Sequence, residues 1–195
     1  MTLLSAAVLM FFVMDPLGNV TFFLSALRHV EAKRQRRVIA RELLIALAVL
    51  VFFLFAGQYV LDVLHVSATA LRISGGVVLL LIAMRMIFPT PEKSMREDVA
   101  GEPFIVPLAV PYTAGPSALA TELLLVSREP DRWPVWLGAV LLAWLATALI
   151  LYFATGVSRY LGERGLIAIE RLMGMLLITV AVQILMDGLT QAMAR

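Results

Sequence analysis

The sequence predicts an all-α integral membrane protein of six transmembrane helices, arranged as an inverted repeat of two three-helix halves with helices 1 and 4 broken. Three observations support this prediction. Of the 195 residues, 61% are apolar and 15% are charged, whereas soluble domains have about 45–50% and about 25%. Apolar stretches long enough to cross a bilayer recur along the chain. Short motifs also recur at a nearly constant spacing, which indicates an internal repeat.

Six apolar stretches form the predicted transmembrane helices. Helix 1 covers about residues 2–27 and contains one charged residue, Asp15. The other five helices lie at about residues 38–62, 66–88, 103–126, 134–158 and 165–189. The first stretch is too long for a cleavable signal peptide and no basic region precedes it, so we interpret it as a retained span. The Pro- and acid-rich segment 89–102 is predicted to link the halves 1–88 and 103–195, which together form one transmembrane domain.

Basic residues in short loops predict the orientation of the chain. They concentrate after helices 1, 3 and 5, at Arg28, Lys33, Arg34, Arg36, Arg37, Lys93, Arg96, Arg159 and Arg164. We therefore expect these loops in the cytoplasm and both termini outside. The first loop could also be read as a nucleic-acid patch, but no aromatic residues interleave with its charges. We expect the lipid bilayer, and not a nucleic acid, as the partner of this surface.

Three pairs of segments carry the internal repeat. Residues 14–18 resemble 114–118, residues 55–56 match 153–154, and residues 71–75 match 170–174. Because each predicted half contains three spans, the second half would be inverted relative to the first. Inverted repeats are common in secondary transporters, whose substrates bind near the bilayer midplane between broken helices.

Helices 1 and 4 carry helix-breaking residues at equivalent positions of the two halves. Pro16 precedes Gly18 in helix 1, and Pro111, Gly115 and Pro116 stand in helix 4. A half-helix N-terminus presents free amides and a partial positive charge, which suit a carboxylate. The predicted substrate site consists of Asp15, Leu17, Gly18, Asn19, Thr113, Gly115, Ser117 and Thr121. The alternative is that the prolines only kink the helices for packing.

Asp15 and Glu122 lie within predicted helices 1 and 4, the two broken helices, and ionisable groups inside a membrane are costly and mark candidate functional sites. Asp15 can cap the second half of helix 1, contact a substrate ammonium group or carry a proton. Glu122 is either solvated near the interface or paired with Arg72 or Arg171. The chain has no cysteine, and His29 and His65 lie far apart. With no phosphate-binding or hydrolase motif either, we expect no enzyme activity, no cofactor and no metal.

Several motifs of the chain also resemble those of a known family. Residues 15–19 (Asp-Pro-Leu-Gly-Asn), 73–76 (Ile-Ser-Gly-Gly), 103–111 and 114–116, together with 41–44 and 55–57, are similar to motifs of the MarC family of bacterial and archaeal inner-membrane proteins. The resemblance extends over residues 1–188. It implies six helices in an inverted three-plus-three repeat, a relationship to LysE-type exporters and a bacterial cytoplasmic membrane. Some members of that family act as transporters of small neutral amino acids such as glycine and alanine.

The predicted function is secondary transport of small neutral amino acids. Because the sequence has no ATP-binding motif, transport would use an ion gradient, with a proton as the expected coupling ion, or exchange. The alternatives are an exporter of drugs or other metabolites and a non-transporting membrane scaffold. The expected partners are an amino acid substrate and the lipid bilayer. The oligomeric state is left open, with a homo-oligomer as one option.

Overall fold

The computed structural model describes residues 1–27, 30–63, 65, 67–88, 104–106 and 108–193. Within these ranges the chain is helical and forms no β-strand, and an isolated bridge joins Phe104 to Val106. The all-α prediction is confirmed for this part of the protein. The predicted linker 89–102 and the side chain of Arg72 lie outside the described residues, as do residues 28 and 29 of the first loop.

The first part of the chain folds into four helices. They are α1 (Leu3–Met14), α2 (Pro16–Ala26), α3 (Ala32–Val63) and α4 (Ala68–Ile87). α1 and α2 together occupy the predicted helix 1 and meet at Asp15. Hydroxyl side chains mark two of the N-termini, because Thr2 accepts the Ser5 amide before α1 and Ser67 accepts the Ala70 amide before α4. Such caps satisfy donors that a helix start leaves unpaired.

The second part begins with an irregular segment. It contains a π-helical turn (Leu108–Thr113), α5 (Pro116–Arg128), a 3-10 turn (Pro130–Arg132), α6 (Trp133–Tyr152) and α7 (Ala154–Met193). α7 is interrupted at Gly162, whose φ of 65° lies in the left-handed region that glycine adopts without strain. The predicted helix 5 therefore ends at Tyr152 rather than near residue 158, because the chain turns and starts α7 before the Gly162 break.

Within the described ranges, four helical stretches are long and apolar enough to cross a membrane. They are Leu3–Ala26, Lys33–Gly57, Pro130–Tyr152 and Arg164–Met193. The apolar helices Ile73–Ile87 and Pro116–Ser127 are shorter. A multi-pass membrane protein is therefore supported by these four stretches, whereas the count of six spans and the inverted repeat stay predictions. The shortness of Pro116–Ser127 has a local cause, since α5 starts only after the break at Gly115.

Close helix packing depends on glycine at several positions. α4 and α7 form the most extensive interface between helices. A Cβ atom at Gly76 would lie 2.7 Å from Leu185 Cγ, and one at Gly174 would lie 2.9 Å from Met86 Cβ. Small residues allow helix backbones to approach closely where no hydrophobic effect drives association. These contacts show that Gly76 of α4 and Gly174 of α7 are packing positions.

The outer surface of the helices is apolar. Large side chains that are exposed on several helices include Leu4, Phe52, Leu81, Leu149, Leu172 and Met186. A soluble monomer seldom exposes this much contiguous apolar surface. The arrangement fits helices whose outer faces contact lipid.

Candidate functional site

Asp15 forms the junction between α1 and α2. Its backbone is left-handed, with φ 44° and ψ 60°, a conformation that Asp tolerates better than most residues. The Asp15 amide donates to the carbonyl oxygens of Phe11 and Phe12 at 3.2 Å each, which closes α1. Its carboxylate Oδ1 accepts a hydrogen bond from the Gly18 amide at 3.1 Å, which caps the N-terminus of α2. One residue therefore ends the first half-helix and caps the second.

Gly18 provides the space that this cap occupies. A Cβ atom at position 18 would overlap the Asp15 carboxylate and would lie 2.8 Å from its Cγ. Real Cβ atoms do not approach other heavy atoms this closely, so a side chain at Gly18 would displace the Asp15 carboxylate. The capping side chain of Asp15 therefore explains why position 18 is a glycine.

The second break lies between the π-helical turn and α5. Val110 has an extended backbone (φ −129°, ψ 126°) inside the turn, and the Thr113 hydroxyl donates to the Leu108 carbonyl oxygen at 3.0 Å. Gly115 is buried and extended, and it precedes Pro116 at the first position of α5. The residue before α5 is Gly115, which has no side chain that could cap the helix. The first amides of α5 therefore lack an N-cap acceptor of the kind that Asp15 provides to α2.

Asn19 joins the two breaks. Its side-chain Nδ2 donates to the Met14 carbonyl oxygen at 2.8 Å and to the Tyr112 carbonyl oxygen at 2.9 Å. Met14 ends α1, and Tyr112 belongs to the π-helical turn, so both acceptors lie at a break. Asn19 is 8% exposed. The rings of Phe22 and Tyr112 stack beside this contact with centroids 5.2 Å apart.

The predicted site residues divide between the two breaks. Asp15, Gly18 and Asn19 lie at the first break, and Thr113, Gly115, Ser117 and Thr121 lie at the second. Leu17 is half-buried and contacts both apolar clusters of the core. The buried Thr121 hydroxyl donates to the Ser117 carbonyl oxygen at 2.9 Å. The hydrogen bond from Asn19 to Tyr112 brings the two groups together.

Comparison with known proteins identifies the family. A family model described as "MarC family integral membrane protein" matches residues 1–193. The chain belongs to the MarC family. It is 48% identical over 188 residues to the inner membrane protein YhgN of Escherichia coli K12, across 96% of this chain and 95% of that protein. No solved structure matches the chain.

More distant relatives are also membrane proteins. A UPF0056 membrane protein of Buchnera aphidicola subsp. Baizongia pistaciae is 42% identical over 190 residues, which are 96% of either chain. One of Chlamydia muridarum is 30% identical over 192 residues, which are 98% of this chain and 94% of that protein. Together with the four apolar spans, these relatives identify the present MarC family protein as a multi-pass inner-membrane protein.

Sequence reasoning missed one polar residue near the first break. Thr147 of α6 is fully buried, and its hydroxyl lies 3.9 Å from Met14 Sδ. In the sequence it appears only as the end of a stripe of small residues with Ala139 and Ala143, which we interpret as a packing surface. Both alanines are buried, as that interpretation requires. The signal for Thr147 was its hydroxyl at the end of an otherwise apolar stripe.

Glu122 is enclosed by protein. It is 0% exposed, and neither of its carboxylate oxygens has a hydrogen-bond partner among the residues that the structure describes. The interpretation of Glu122 as a solvated interfacial residue is therefore wrong, because α5 packs this face against other helices. Arg171 is exposed, and pairing with Arg72 involves a side chain outside the described residues. Among the described residues, no group of three or more His, Asp and Glu side chains is arranged to hold a metal ion.

Proposed function

We propose that this MarC family protein is a secondary transporter of small neutral amino acids in the inner membrane, either coupled to protons or working as an exchanger. The observation that carries the proposal is the hydrogen bond from Asn19 to the Tyr112 carbonyl oxygen. It brings two interrupted helices from distant parts of the chain into contact. Broken helices that meet in this way form the substrate sites of many secondary transporters.

An amino acid zwitterion complements the charges at the two breaks. The uncapped N-terminus of α5 offers the amides of Ser117 and Ala118 to a carboxylate. Asp15 offers a carboxylate to an ammonium group while it still caps α2, since a carboxylate can accept several hydrogen bonds. One fixed negative charge opposite one helix N-terminus favours a substrate without net charge.

Small side chains near both breaks favour a small substrate. Gly18 and Asn19 follow the first break, and Ala114, Gly115 and Ala118 surround the second, all of them buried. Because such small residues let the helix backbones pack closely around the breaks, a substrate with a large side chain would displace more of the surrounding structure than a small one. Glycine and alanine fit this restriction, in line with the transport activity that the family resemblance implies.

The inverted three-plus-three repeat is part of this proposal. Pro16 and Pro116 each occupy the first position of the half-helix that follows a break. α4 and α7, the third helices of the two predicted halves, pack tightly against each other. In this architecture the two halves rock around a fixed central site, so that the site opens to each side of the membrane in turn.

Uptake by proteoliposomes tests the proposal. We expect labelled glycine and alanine to enter vesicles that contain the protein, and labelled glutamate and lysine to stay outside. Protein-free vesicles give the background, and Thr179→Val on the exposed face of α7 is a variant that leaves uptake unchanged. If only bulky compounds were transported, the exporter alternative would replace the proposal. If no compound entered above background, the scaffold alternative would replace it.

A further inference from the structure

Glu122 lies on α5 close to the second break. It follows Pro116, the first residue of α5, by six positions, which corresponds to about 9 Å along a helix axis. The side chain is completely buried, and neither carboxylate oxygen has a hydrogen-bond donor within the described part of the chain. An ionised carboxylate is strongly disfavoured in such surroundings, whereas a neutral acid is tolerated much better. The proposed transport site does not use this group.

Three of the elements that pack against α5 place no charge at Glu122. α1 (Leu3–Met14) contains no ionisable side chain, and the only one in α6 is Tyr152 at its far end. The 3-10 turn beyond α5 carries Asp131 and Arg132, and Arg132 pairs with Glu129. None of these elements provides a counter-charge inside the helix bundle.

The two other helices that pack against α5 are α3 and α4. Their glycines show which parts of α3 and α4 lie beside Glu122. Gly57 of α3 faces the Leu123 side chain, and Gly75 of α4 faces Leu124. On α3, Glu42 lies 15 positions before Gly57, about 22 Å away along the axis, and Arg41 and the other basic residues precede it. On α4, Arg85 lies ten positions after Gly75, about 15 Å away.

Two charged residues lie nearer to this level. Asp62 follows Gly57 by five positions, about 8 Å along the axis, and Arg72 precedes Gly75 by three positions, about 5 Å. The side chains of Asp62 and Arg72 lie outside the described residues. Within the described part of the chain, Glu122 has no salt-bridge partner. An ion pair with Arg72 would keep Glu122 ionised, whereas an unpaired Glu122 would be a neutral acid. The protonation state of the Glu122 carboxyl group therefore distinguishes an ion-paired from an unpaired Glu122.

We propose that Glu122 carries the coupling proton of the transport cycle and is a neutral acid in the conformation described here. The inference rests on the proposed transport function. The Glu122 carboxylate takes a proton from water on one side of the membrane, forming an O–H bond. It releases that proton to water on the other side when the break of helix 4 opens there, and no electron transfer is involved. Asp15 is less suited to this role because its carboxylate holds the Gly18 amide.

The first test compares two modes of transport in the same proteoliposomes. We expect Glu122→Gln to lose the glycine accumulation that a pH gradient drives, down to the level without a gradient, and to retain glycine exchange at equal pH. Glu129→Gln, which changes an exposed carboxylate just beyond α5, is the matched control and keeps both activities. Accumulation by Glu122→Gln at the wild-type level would overturn the inference. Loss of exchange together with accumulation would also overturn it, because Glu122 would then act in transport itself.

The second test does not depend on transport. Infrared spectroscopy of the reconstituted protein at neutral pH should show the carbonyl stretching band of a protonated carboxyl group, and Glu122→Gln should lack that band. If wild-type and Glu122→Gln spectra were identical in this region, Glu122 would be ionised and the inference would fail. An absence of exchange by the wild-type protein would instead contradict the proposed function, whether or not the band is present.

Discussion

Asn19 Nδ2 donates a hydrogen bond of 2.9 Å to the carbonyl oxygen of Tyr112, 93 residues further along the chain. The same nitrogen donates to the Met14 carbonyl oxygen. Both acceptors belong to backbone that the helix breaks release from regular hydrogen bonding. In a membrane such groups must find a partner within the protein. Asn19 therefore stabilises both breaks and holds them next to each other.

We expect Asn19→Ala to destabilise the protein. The substitution removes both hydrogen bonds, and an intramolecular hydrogen bond typically contributes about 0.5–1.5 kcal/mol to stability. Thermal unfolding of the purified protein in detergent measures the change, with Thr179→Val as the control because the Thr179 hydroxyl is exposed. Equal unfolding temperatures for Asn19→Ala and the control would show that other groups hold the breaks together.

We expect Gly18→Ala to abolish amino acid uptake while the protein still inserts into the membrane. The new Cβ atom would displace the Asp15 carboxylate, and loss of a cap of this kind costs about 1 kcal/mol of helix stability. Gly156→Ala is the matched control, since a Cβ atom at Gly156 meets no atom within 4 Å. Normal uptake by Gly18→Ala, at wild-type expression, would mean that the geometry of the first break is not needed for transport.

Asp15→Asn separates the capping role from the charge. Asn also caps helices, so we expect stability to change by about 1 kcal/mol or less. Loss of a charged hydrogen bond to the substrate ammonium group, about 1.5–3 kcal/mol, should weaken glycine affinity about 10- to 150-fold. Competition of unlabelled glycine with labelled alanine in proteoliposomes measures that affinity. Wild-type affinity would leave Asp15 with the cap as its role.

The orientation of the chain is testable because the protein contains no cysteine. We expect Lys33→Cys, near the start of α3, to face the cytoplasm, because basic residues concentrate in that loop. A membrane-impermeant thiol reagent should then label it in inverted vesicles and not in intact cells. Thr2→Cys, at the opposite end of helix 1, is the complementary control and should be labelled from outside. Labelling of position 33 in intact cells would reverse the topology.

Local features of the fold could be predicted from the sequence, because local stereochemistry determines them. Proline lacks an amide hydrogen and clashes with the preceding turn, so Pro16 and Pro116 mark both breaks. The cap formed by Asp15 is equally local, since the carboxylate and the Gly18 amide are three residues apart. In contrast, the turn at Phe153 lies within predicted helix 5 and could not be recognised, because the uncharged sequence continues through it to residue 158.

Long-range contacts depend on how the helices pack, and local sequence patterns do not predict that packing. The Asn19 side chain was predicted to bind substrate, but its partnership with Tyr112 joins segments that only the fold brings together. Glu122 has the sequence context of an interfacial residue near the end of predicted helix 4. Its burial results from α3 and α4, which contact the neighbouring Leu123 and Leu124. A hydropathy pattern shows that a residue belongs to a helix, but it does not show which other helix packs over that residue.

Substrate protection of a single cysteine tests the central claim, a substrate site at the two helix breaks, most directly. Ser117→Cys places a thiol at the uncapped N-terminus of α5, in a chain without other cysteines. We expect glycine and alanine to slow its reaction with a thiol reagent as their concentration rises, and glutamate and lysine to have no effect. Thr179→Cys, on the exposed face of α7, should react at the same rate throughout. An unchanged rate at Ser117→Cys in saturating glycine and alanine would contradict the account.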